Sequence, residues 1–543
     1  MDKKKIFKWC VDGAIVLLLL ACLWVPEAPK ALGRVFVWDQ FHSWDALLIL
    51  PGWAYVHGQG LNTDIISSWG LGAVIFISRG AEVLGGFDYT RVLNVLMAMA
   101  IVYYALLYVF LRVWLRHVLL AVLVIALAVK VQFFNSGISP LIWIFPQDTP
   151  ARHWLDLPVL WCLWQHARRF SPKYLLGAAA GTGLGLAWVF SSGFCLLLAF
   201  WGYLIFLLMR PKYRQQLARD FKGFRRIIFY GLLPLPVMLL ALFLMQGHAV
   251  FHPVFWANTF EPMRSFLQGV GTVPIYRCLY DRHFFAYIAG FVIPVIYIWT
   301  LIIITGLSDA EKLPQEDLFL VPLCVYGLSL YAHYLAHSTT NHYYAVGIPV
   351  VMVIGFWLRV SVKSLRILLV LALGSWAALF TNVLFIYYPN VFDISRMDWK
   401  PETGFYQSQM RFDRDAAMIA GLVKPEEGAA LVSSFEAPLL IQAKRRPFFY
   451  YAPLVISERL DKNSFAGTNV DSQVRLDKTL AQITDQKPEY IFIEKRLLGQ
   501  WPPELAQNYP GIILVLRFVI EHYQPVDQGV YLIAMRKKRD GHE

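Results

Sequence analysis

The chain has 543 residues, of which 57% are hydrophobic and only 16% charged, and its formal net charge at pH 7 is +12. An ordinary soluble domain has about 25% charged residues, so this composition predicts a polytopic membrane protein. The positive charge does not indicate nucleic acid as a partner, because the basic residues fall in short clusters between apolar runs. The six cysteines lie in or beside apolar segments and show neither a disulfide framework nor zinc-site spacing.

Eleven apolar segments approach the length of about 20 residues that a helix needs to cross a bilayer. The first has a basic start and no small-residue cleavage site after it, which predicts an uncleaved signal anchor. The predicted helices cover residues 7–25, 91–111, 118–135, 152–167, 173–191, 193–209, 227–245, 284–304, 318–335, 343–358 and 366–388. We therefore expect an α-helical polytopic membrane domain over residues 1–389, with about eleven crossings.

The distribution of Lys and Arg predicts the orientation, because cytoplasmic loops are enriched in both. Basic residues cluster before the first segment and in alternate loops after it, most densely between residues 210 and 226. The loop at 305–317 is the exception, since Lys312 is its only basic residue among several acids. A crossing at residues 69–84 would place the 210–226 cluster outside, so we reject it. The chain after residue 388 is then expected in the periplasm of a bacterium, and the bundle in the inner membrane.

The first outer loop, residues 26–90, is apolar but interrupted by Pro51 and several glycines, which predicts helices lying in the membrane interface. It also carries Asp39, His42 and Asp45, whose three-residue spacing would place them on one face if this stretch is helical. A carboxylate fixed there could act as general base on an acceptor hydroxyl. Asp39 is the first candidate, with Asp45 and His42 behind it, and a capping role is the alternative for each.

A glycine-rich stretch of the same loop, GQGLNTDIISSWG at residues 58–70, offers tight backbone turns near a ligand but lacks the features of a nucleotide loop. Asp64 in this stretch is expected either to bind a sugar hydroxyl or to cap the following helix.

The second outer loop, residues 136–154, carries Asp148, Arg152 and His153 just before a helix re-enters the membrane. Arg152 can pair with a lipid phosphate through its planar fork of donors. It would then stabilise the charge that gathers on a departing polyprenyl phosphate. The alternative is an arginine that extends to lipid headgroups without a catalytic role.

Two further outer loops, at residues 246–283 and 337–344, are polar enough to bind a head group or simply to cap helices. Arg264, His342 and Tyr343 are their best substrate-binding candidates. The chain has no H-E-x-x-H motif or close ligand pair, so no cofactor is predicted with certainty, although a divalent cation is compatible with these residues. Asp12, inside the first helix, is assigned to structure because it lies far from the outer loops.

The region from residue 390 to the C-terminus has ordinary charge density and alternating patterns, which predict a small periplasmic α/β domain. The expected helices cover residues 414–423 and 473–484, and the expected strands cover 429–433, 490–494, 512–518 and 529–535.

The first loop has the form D-x-x-H … G-x-G … D … S-x-x-G, and it is followed by PQDTPARHWL, GTGLGLAWVFSSG and NHYYAVGIP. In these motifs and in the terminal SSFEAPLLIQAKRRPFFYYAPL, the chain resembles the GT-C superfamily of integral-membrane glycosyltransferases. That superfamily includes protein mannosyltransferases and the aminoarabinose transferase of lipid A. The resemblance covers most of the chain as architecture with loose motifs.

The resemblance implies a transferase that takes sugar from a polyprenyl-phosphate donor and passes it to a periplasmic acceptor. It assigns the role of base or acceptor-orienting acid to Asp39, with Asp45 as the second choice. The chain departs from the pattern in two places, because it lacks two adjacent acids in the first loop and has Ser191 and Ser192 where related chains often carry an acid.

A lipid or small-molecule transporter is the competing hypothesis. Transporters usually place polar sites near midmembrane in repeated halves, whereas here the polar groups crowd one face. A membrane-anchored scaffold is disfavoured, because anchoring alone does not need so large a bundle.

Overall fold

The computed structural model describes residues 3–23, 48–67, 69–132, 150–220, 224–267, 284–306, 314–336, 343–361, 367, 370, 412–433, 436–449, 479–498 and 510–538. These residues belong to two compact units. The first unit draws on Met1–Glu27, Leu96–Met245 and Val273–Trp399, and the second draws on Ala28–Val95, Gln246–Thr272 and Lys400–Glu543.

The described part of the chain is mostly helical. In chain order its helices are α1 (Lys3–Leu23), α2 (Leu50–Val56), α3 (Leu71–Val83), α4 (Tyr89–Leu115), α5 (Val118–Gln132), α6 (Asp156–Arg169), α7 (Pro172–Trp188), α8 (Phe190–Met209), α9 (Pro211–Asp220), α10 (Phe224–Leu232), α11 (Pro234–Gln246), α12 (Pro253–Leu267), α13 (Phe284–Gly306), α14 (Leu320–Ala336), α15 (Tyr343–Val360), α16 (Asp413–Leu422), α17 (Glu436–Ala443) and α18 (Pro510–His522). Short 3₁₀ segments lie at Gly247–Phe251, Gln315–Phe319 and Lys495–Leu498, and residues 479–486 are also helical.

A helix occupies each of the first ten predicted spans, and the eleventh, at 366–388, lies outside the described residues except for 367 and 370. The span predicted at 227–245 is divided between α10 and α11, because Pro234 follows the break and cannot continue the hydrogen bonding of α10. Within the described residues, three helical stretches are long and apolar enough to cross a membrane: Tyr89–Leu115, Phe190–Met209 and Ile227–Phe251, the last of which joins parts of α10, α11 and the 3₁₀ segment after them. The chain is therefore a helical membrane protein, and the count of eleven crossings stays a prediction.

The first unit is a helix bundle in which α7 and α8 form a tight hairpin. Val189 alone separates them in an extended conformation. Gly193 of α8 lies so close to α7 that a Cβ atom there would overlap the backbone of Gly185 and Leu186. Small residues allow this approach, as is usual between helices in membranes. In addition, α8 packs on α14, α14 on α13 and α15, and α15 on α5.

The acidic residues at the end of the 305–317 loop form ion pairs with basic residues of neighbouring helix ends. Arg359 Nη2 lies 2.7 Å from Asp317 Oδ1, and Arg116 Nη2 lies 2.7 Å from Glu316 Oε2. Burial raises the pKa of Asp317, and the Arg359 guanidinium opposes that shift. The low basic content of this loop is thus compensated by arginines from the ends of α4 and α15.

Asp12 of α1 has the structural role that the sequence predicts. Its Oδ1 accepts a hydrogen bond from the Tyr108 hydroxyl at 2.6 Å and one from Arg112 Nε at 3.1 Å. Both partners lie on α4, so the pair attaches α1 to that helix.

The second unit contains a five-stranded mixed sheet with strand order β2-β1-β3-β5-β4. The strands are β1 (Gly428–Val432), β2 (Arg446–Pro447), β3 (Tyr490–Glu494), β4 (Tyr523–Gln528) and β5 (Leu532–Lys537). Strand β1 is parallel to β2 and β3, whereas β5 is antiparallel to β3 and β4. The sequence predicts helices and strands in this region, and its described residues contain both.

One expected strand is wrong, because residues 512–518 lie inside helix α18. Val515 and Val519 of that helix are fully buried, and both belong to the core cluster of the sheet together with Ile491 of β3. Positions i and i+4 share one face of a helix, so the buried valines pack as a helical stripe. Pro510 stands at the start of the helix, where its missing N–H costs nothing.

The described part of the first loop belongs to the second unit and packs on its terminal region. Helix α2 contacts α17 and β2. Trp53 Nε1 donates to the Arg445 carbonyl at 2.7 Å, and Gln59 Nε2 donates to the Pro447 carbonyl at 3.1 Å. The sequence analysis did not predict that this loop and the terminal sheet would share a structural unit.

Candidate functional site

The predicted site residues divide into three groups according to what the structure describes. Asp64, Arg152 and His153 are described with their side chains. Arg264 and Tyr343 lie on α12 and α15. The remaining candidates lie outside the described residues, and they are Asp39, His42, Asp45, Asp148 and His342.

Arg152 lies in a turn just before α6, and that turn is fixed to the α7–α8 hairpin. Its Nη2 donates to the Ser191 hydroxyl at 2.9 Å. The Ser192 hydroxyl donates to the Arg152 carbonyl at 3.0 Å, and Trp188 Nε1 donates to the Ala151 carbonyl at 2.7 Å. Both the backbone and the guanidinium of Arg152 are therefore held by residues at the junction of two helices.

Ser191 and Ser192 stand where chains of the GT-C pattern often carry an acid, one of the two departures noted in the sequence. A serine hydroxyl is a neutral acceptor, so its contact orients the Arg152 guanidinium without cancelling the positive charge. An aspartate in the same place would form an ion pair instead.

His153 is 4% exposed and belongs to a buried polar cluster with Asp156, Tyr103 and Tyr326. Tyr103 OH lies 3.0 Å from Asp156 Oδ1, and Tyr326 OH lies 3.3 Å from Asp156 Oδ2. His153 Nδ1 lies 3.3 Å from the same Tyr326 hydroxyl. Since Tyr103 stands near the middle of the 27-residue helix α4, the cluster lies about halfway along a helix long enough to cross the membrane.

Asp156 is a candidate that the sequence reasoning missed. It is 2% exposed and is the first residue of α6, where the positive end of the helix dipole favours a carboxylate. The signal was present, because an acid within a predicted membrane span is a functional candidate by default. Tyr104, next to Tyr103, extends the buried polar group by donating to Gln132 Oε1 at 3.0 Å.

Asp64 does not cap the helix that follows it. Its Oδ2 accepts from the backbone N–H of Gly60 at 2.7 Å, whereas helix α3 begins after Gly70 without a side-chain cap. The carboxylate thus closes the turn that precedes it, and the residue is exposed. A contact with a sugar hydroxyl remains a prediction.

Asn62 holds this loop to α12, a role that the sequence reasoning did not assign. The residue has a left-handed backbone (φ 63°) and is 1% exposed. Its Nδ2 donates to Thr259 Oγ1 at 3.0 Å, its Oδ1 accepts from the Ser67 N–H at 2.8 Å, and its carbonyl accepts from Asn258 Nδ2 at 3.0 Å. Asparagine tolerates a positive φ, so one residue supplies both the turn and the three contacts.

A metal centre receives no support from the described residues, among which no group of three or more His, Cys, Asp or Glu side chains is placed to hold an ion. Asp39 and Asp45 of the first loop lie outside the described residues. A divalent cation therefore stays an untested expectation.

No protein-family model matches the sequence, and no curated protein matches it either. Among solved structures, the chain is similar to the archaeal oligosaccharyltransferase AglB from Archaeoglobus fulgidus in complex with an inhibitory peptide and a dolichol-phosphate. The TM-score is 0.51 at 10% identity, over 98% of this chain and 75% of that one. The chain is also similar to ArnT from Cupriavidus metallidurans bound to undecaprenyl phosphate, with a TM-score of 0.49 at 13% identity, over 97% and 98% of the two chains.

At such low identity the likeness to AglB shows the fold alone. The chain has the fold of the GT-C glycosyltransferases, and the resemblance inferred from the sequence motifs is confirmed at that level.

Proposed function

We propose that the protein is a membrane glycosyltransferase that moves one sugar from a polyprenyl-phosphate donor to a periplasmic acceptor. The acceptor is a glycan, a lipid or a protein. The enzyme resides in the bacterial inner membrane, with residues 390–543 forming a periplasmic domain. Its partners are the lipid-linked donor, the acceptor and the bilayer. The fold supports this class of enzyme, and the positioning of Arg152 is the single observation that supports the chemistry.

In the proposed reaction the acceptor hydroxyl attacks the anomeric carbon of the donor, and polyprenyl phosphate leaves. Asp39 takes the proton of the hydroxyl, and Asp45 and His42 are the other candidates for that role in the first loop. Negative charge grows on the phosphate oxygens as the sugar bond breaks. A cation already held in place stabilises that charge without reorganising during the reaction.

Arg152 is suited to this task because its orientation is set before any donor binds. Ser191 contacts one nitrogen of the guanidinium, and Ser192 and Trp188 hold the turn that carries it. A planar guanidinium can meet two phosphate oxygens at once, which an ammonium cannot do with the same geometry. Asp64, Asp148, His153, Arg264, His342 and Tyr343 are the further residues that we assign to donor or acceptor binding.

Sugar transfer by the purified full-length chain in lipid nanodiscs tests the proposal. Synthetic polyprenyl-phosphate donors that carry different sugars are supplied with candidate acceptors, and both the glycosylated product and free polyprenyl phosphate are measured. We expect transfer by the wild type. For Arg152→Ala we expect a loss of about 10²- to 10³-fold in kcat, the usual effect of removing a transition-state donor.

Further variants test the assigned roles. Arg152→Lys keeps the charge but loses the fork, so only partial recovery is expected, and Ser191→Ala should cost about 3- to 10-fold through one lost hydrogen bond. Arg168→Ala is the matched control, because Arg168 lies exposed at the other end of α6. Full activity in Arg152→Ala would contradict the assignment. If Asp45→Asn abolished turnover while Asp39→Asn kept it, the role of base would pass to Asp45.

A further inference from the structure

Exposed basic side chains gather at one end of the membrane bundle, where α6 leads into α7 and α8 leads into α9. The α6–α7 junction carries two of them, and the start of α9 carries the other two. Phe170 of the junction stacks on Tyr213 of α9, with ring centroids 5.6 Å apart and an interplanar angle of 21°. This contact holds the two segments side by side. We call the four residues the basic surface, and they are Arg169, Lys173, Lys212 and Arg214.

The basic surface has no acidic partner among the described residues. Residues 157–219 contain neither Asp nor Glu, and each ion pair of the described residues joins groups elsewhere in the chain. At the same end of the bundle, Arg116 and Arg359 do have acidic partners, in Glu316 and Asp317. The positive charge of the basic surface is therefore left for a ligand or for solvent ions.

Two of the four charges lie around one aromatic ring. Arg169 Cζ lies 5.8 Å and Lys173 Nζ lies 5.1 Å from the centroid of the Tyr174 ring. Arg169 Nη1 also donates to the Tyr174 hydroxyl at 3.0 Å. The ring attracts each cation, but two like charges fixed near one ring repel each other. A bound anion would relieve that repulsion, and a planar guanidinium suits the oxygens of a phosphate.

Two nearby arginines are excluded from the basic surface because their guanidinium groups have other contacts. Arg210 is half-buried and donates to the carbonyl of Thr305 in α13. Arg168 is exposed, but its guanidinium lies over the ring of Trp164, which itself contacts Phe110 of α4. Arg168 therefore lies on the side of α6 that faces α4.

Apolar side chains adjoin the basic surface on its membrane side. Leu176 follows Lys173 by one turn of α7, and Ile205 and Met209 lie in the last two turns of α8. The three apolar residues are 42%, 56% and 76% exposed. A ligand with a phosphate and hydrocarbon chains would use both features, because its charge meets the cations while its chains cover the apolar side chains. A soluble anion would use only the cations.

We propose that the basic surface binds the headgroup of an anionic phospholipid, whose acyl chains lie along Leu176, Ile205 and Met209. Clusters of Lys and Arg directly beside membrane helices are typical binding sites for acidic lipid headgroups. The charge distribution of the sequence predicts that this end faces the cytoplasm, so the lipid belongs to the cytoplasmic leaflet. Arg152 precedes the opposite end of α6. The lipid site is therefore separate from the proposed donor site and does not depend on sugar transfer.

Native mass spectrometry of the full-length chain, released from detergent micelles, measures the lipid that stays bound. The protein is titrated with phosphatidylglycerol and, for comparison, with the zwitterionic phosphatidylethanolamine. A third titration uses glycerophosphoglycerol, which is the anionic headgroup without acyl chains. We expect the wild type to bind phosphatidylglycerol more tightly than either of the others, by about 10-fold or more.

Two double variants remove the same charge from the same end of the bundle. Lys173→Gln/Lys212→Gln takes one residue from each segment, and among the described residues each ammonium contacts only a neighbouring tyrosine ring. Each basic residue near an anionic headgroup contributes about fivefold to binding, so the affinity for phosphatidylglycerol should fall about 20- to 30-fold. Arg116→Gln/Arg168→Gln is the matched control, and it should change the affinity by less than about threefold because neither residue belongs to the basic surface.

Equal losses in the two double variants would overturn the inference, because they would show attraction by net charge alone. Equal affinities for the two phospholipids would overturn it as well. Binding of glycerophosphoglycerol as tight as that of the full lipid would assign the surface to a soluble phosphate and contradict a lipid site.

Discussion

Replacing Arg445 by Met should loosen the contact between the first loop and the terminal α/β region. The guanidinium of Arg445 donates to backbone carbonyls at the C-terminal ends of two helices. Its Nε and Nη2 reach the carbonyls of Val423 and Ala420 after and within α16, each at 2.7 Å. Its Nη1 lies 3.2 Å from the carbonyls of Ala443 and Lys444 at the end of α17. Arg445 also offers its own carbonyl to Trp53 Nε1.

The size of the effect follows from the two short contacts. A hydrogen bond from a charged donor contributes about 1.5–3 kcal/mol, and the lower figure applies because Arg445 is partly exposed. Losing both therefore costs about 3 kcal/mol of local stability. Methionine keeps the unbranched stem of the side chain without the guanidinium, so packing around the stem changes little. Lysine offers a single ammonium in place of the fork and should recover about half of the loss.

Hydrogen–deuterium exchange of the full-length chain in nanodiscs measures this directly. A loss of about 3 kcal/mol corresponds to roughly 150-fold faster exchange of the amides that open with the site. We expect the faster exchange in Asp413–Leu422 and in Leu50–Val56, because Trp53 docks on the same residue. Unchanged exchange in Leu50–Val56, together with faster exchange in Asp413–Leu422, would refute the idea that Arg445 couples the loop to the terminal region.

Three further predictions concern single contacts. Gly193→Ala should lower the melting temperature sharply, because its Cβ would overlap the backbone of the neighbouring helix, whereas Gly13→Ala has open space and should not. Asp415→Asn should speed exchange of the backbone amides of residues 530–532, because the Asp415 carboxylate accepts hydrogen bonds from all three at 2.9–3.2 Å. Replacing the carboxylate by a neutral side-chain amide should lower the local stability by about 2–3 kcal/mol. Burial raises the pKa of the Tyr523 hydroxyl to about 12. The neutral hydroxyl therefore stabilises the folded state fully below the ordinary tyrosine pKa of about 10, and this contribution is lost as the pH rises toward about 12. Tyr523→Phe should therefore lose less stability than the wild type across that range in thermal unfolding, and equal losses would contradict the assignment.

Hydropathy and charge predicted the helices of the bundle well, because every segment that crosses a bilayer has to satisfy its own backbone hydrogen bonds. A helix is the only way for a single segment to satisfy its backbone in lipid, so an apolar run such as Phe190–Met209 has no competing structure. Outside the membrane, hydropathy alone did not distinguish strands from helices. The run from residue 512 to 518 is apolar and β-branched, and such short runs fit a strand or a buried helix equally. Packing of Val515 and Val519 on the sheet decided the outcome.

The site residues remain predictions, and the contacts that position them join segments far apart in the sequence. Arg152 was proposed from the sequence because a cation before a re-entering helix suits a lipid phosphate, but its contact with Ser191, 39 residues away, could not be predicted. Tyr326 reaches His153 across 173 residues. Asp156 alone carried a local signal, an acid inside an apolar span. No sequence pattern placed the first loop on the terminal sheet, since backbone carbonyls accept the bonds from Trp53 and Gln59 and any residue type supplies a carbonyl.

The central claim is that this membrane bundle cleaves a polyprenyl-phosphate sugar and does not merely move it. In proteoliposomes that contain the full-length chain, a donor labelled in both sugar and lipid allows the released polyprenyl phosphate and the glycosylated acceptor to be counted together. We predict equimolar release and transfer by the wild type, with both lost in Arg152→Ala. Movement of the intact donor between leaflets, with no polyprenyl phosphate released for any sugar in the panel, would contradict the account and identify a transporter.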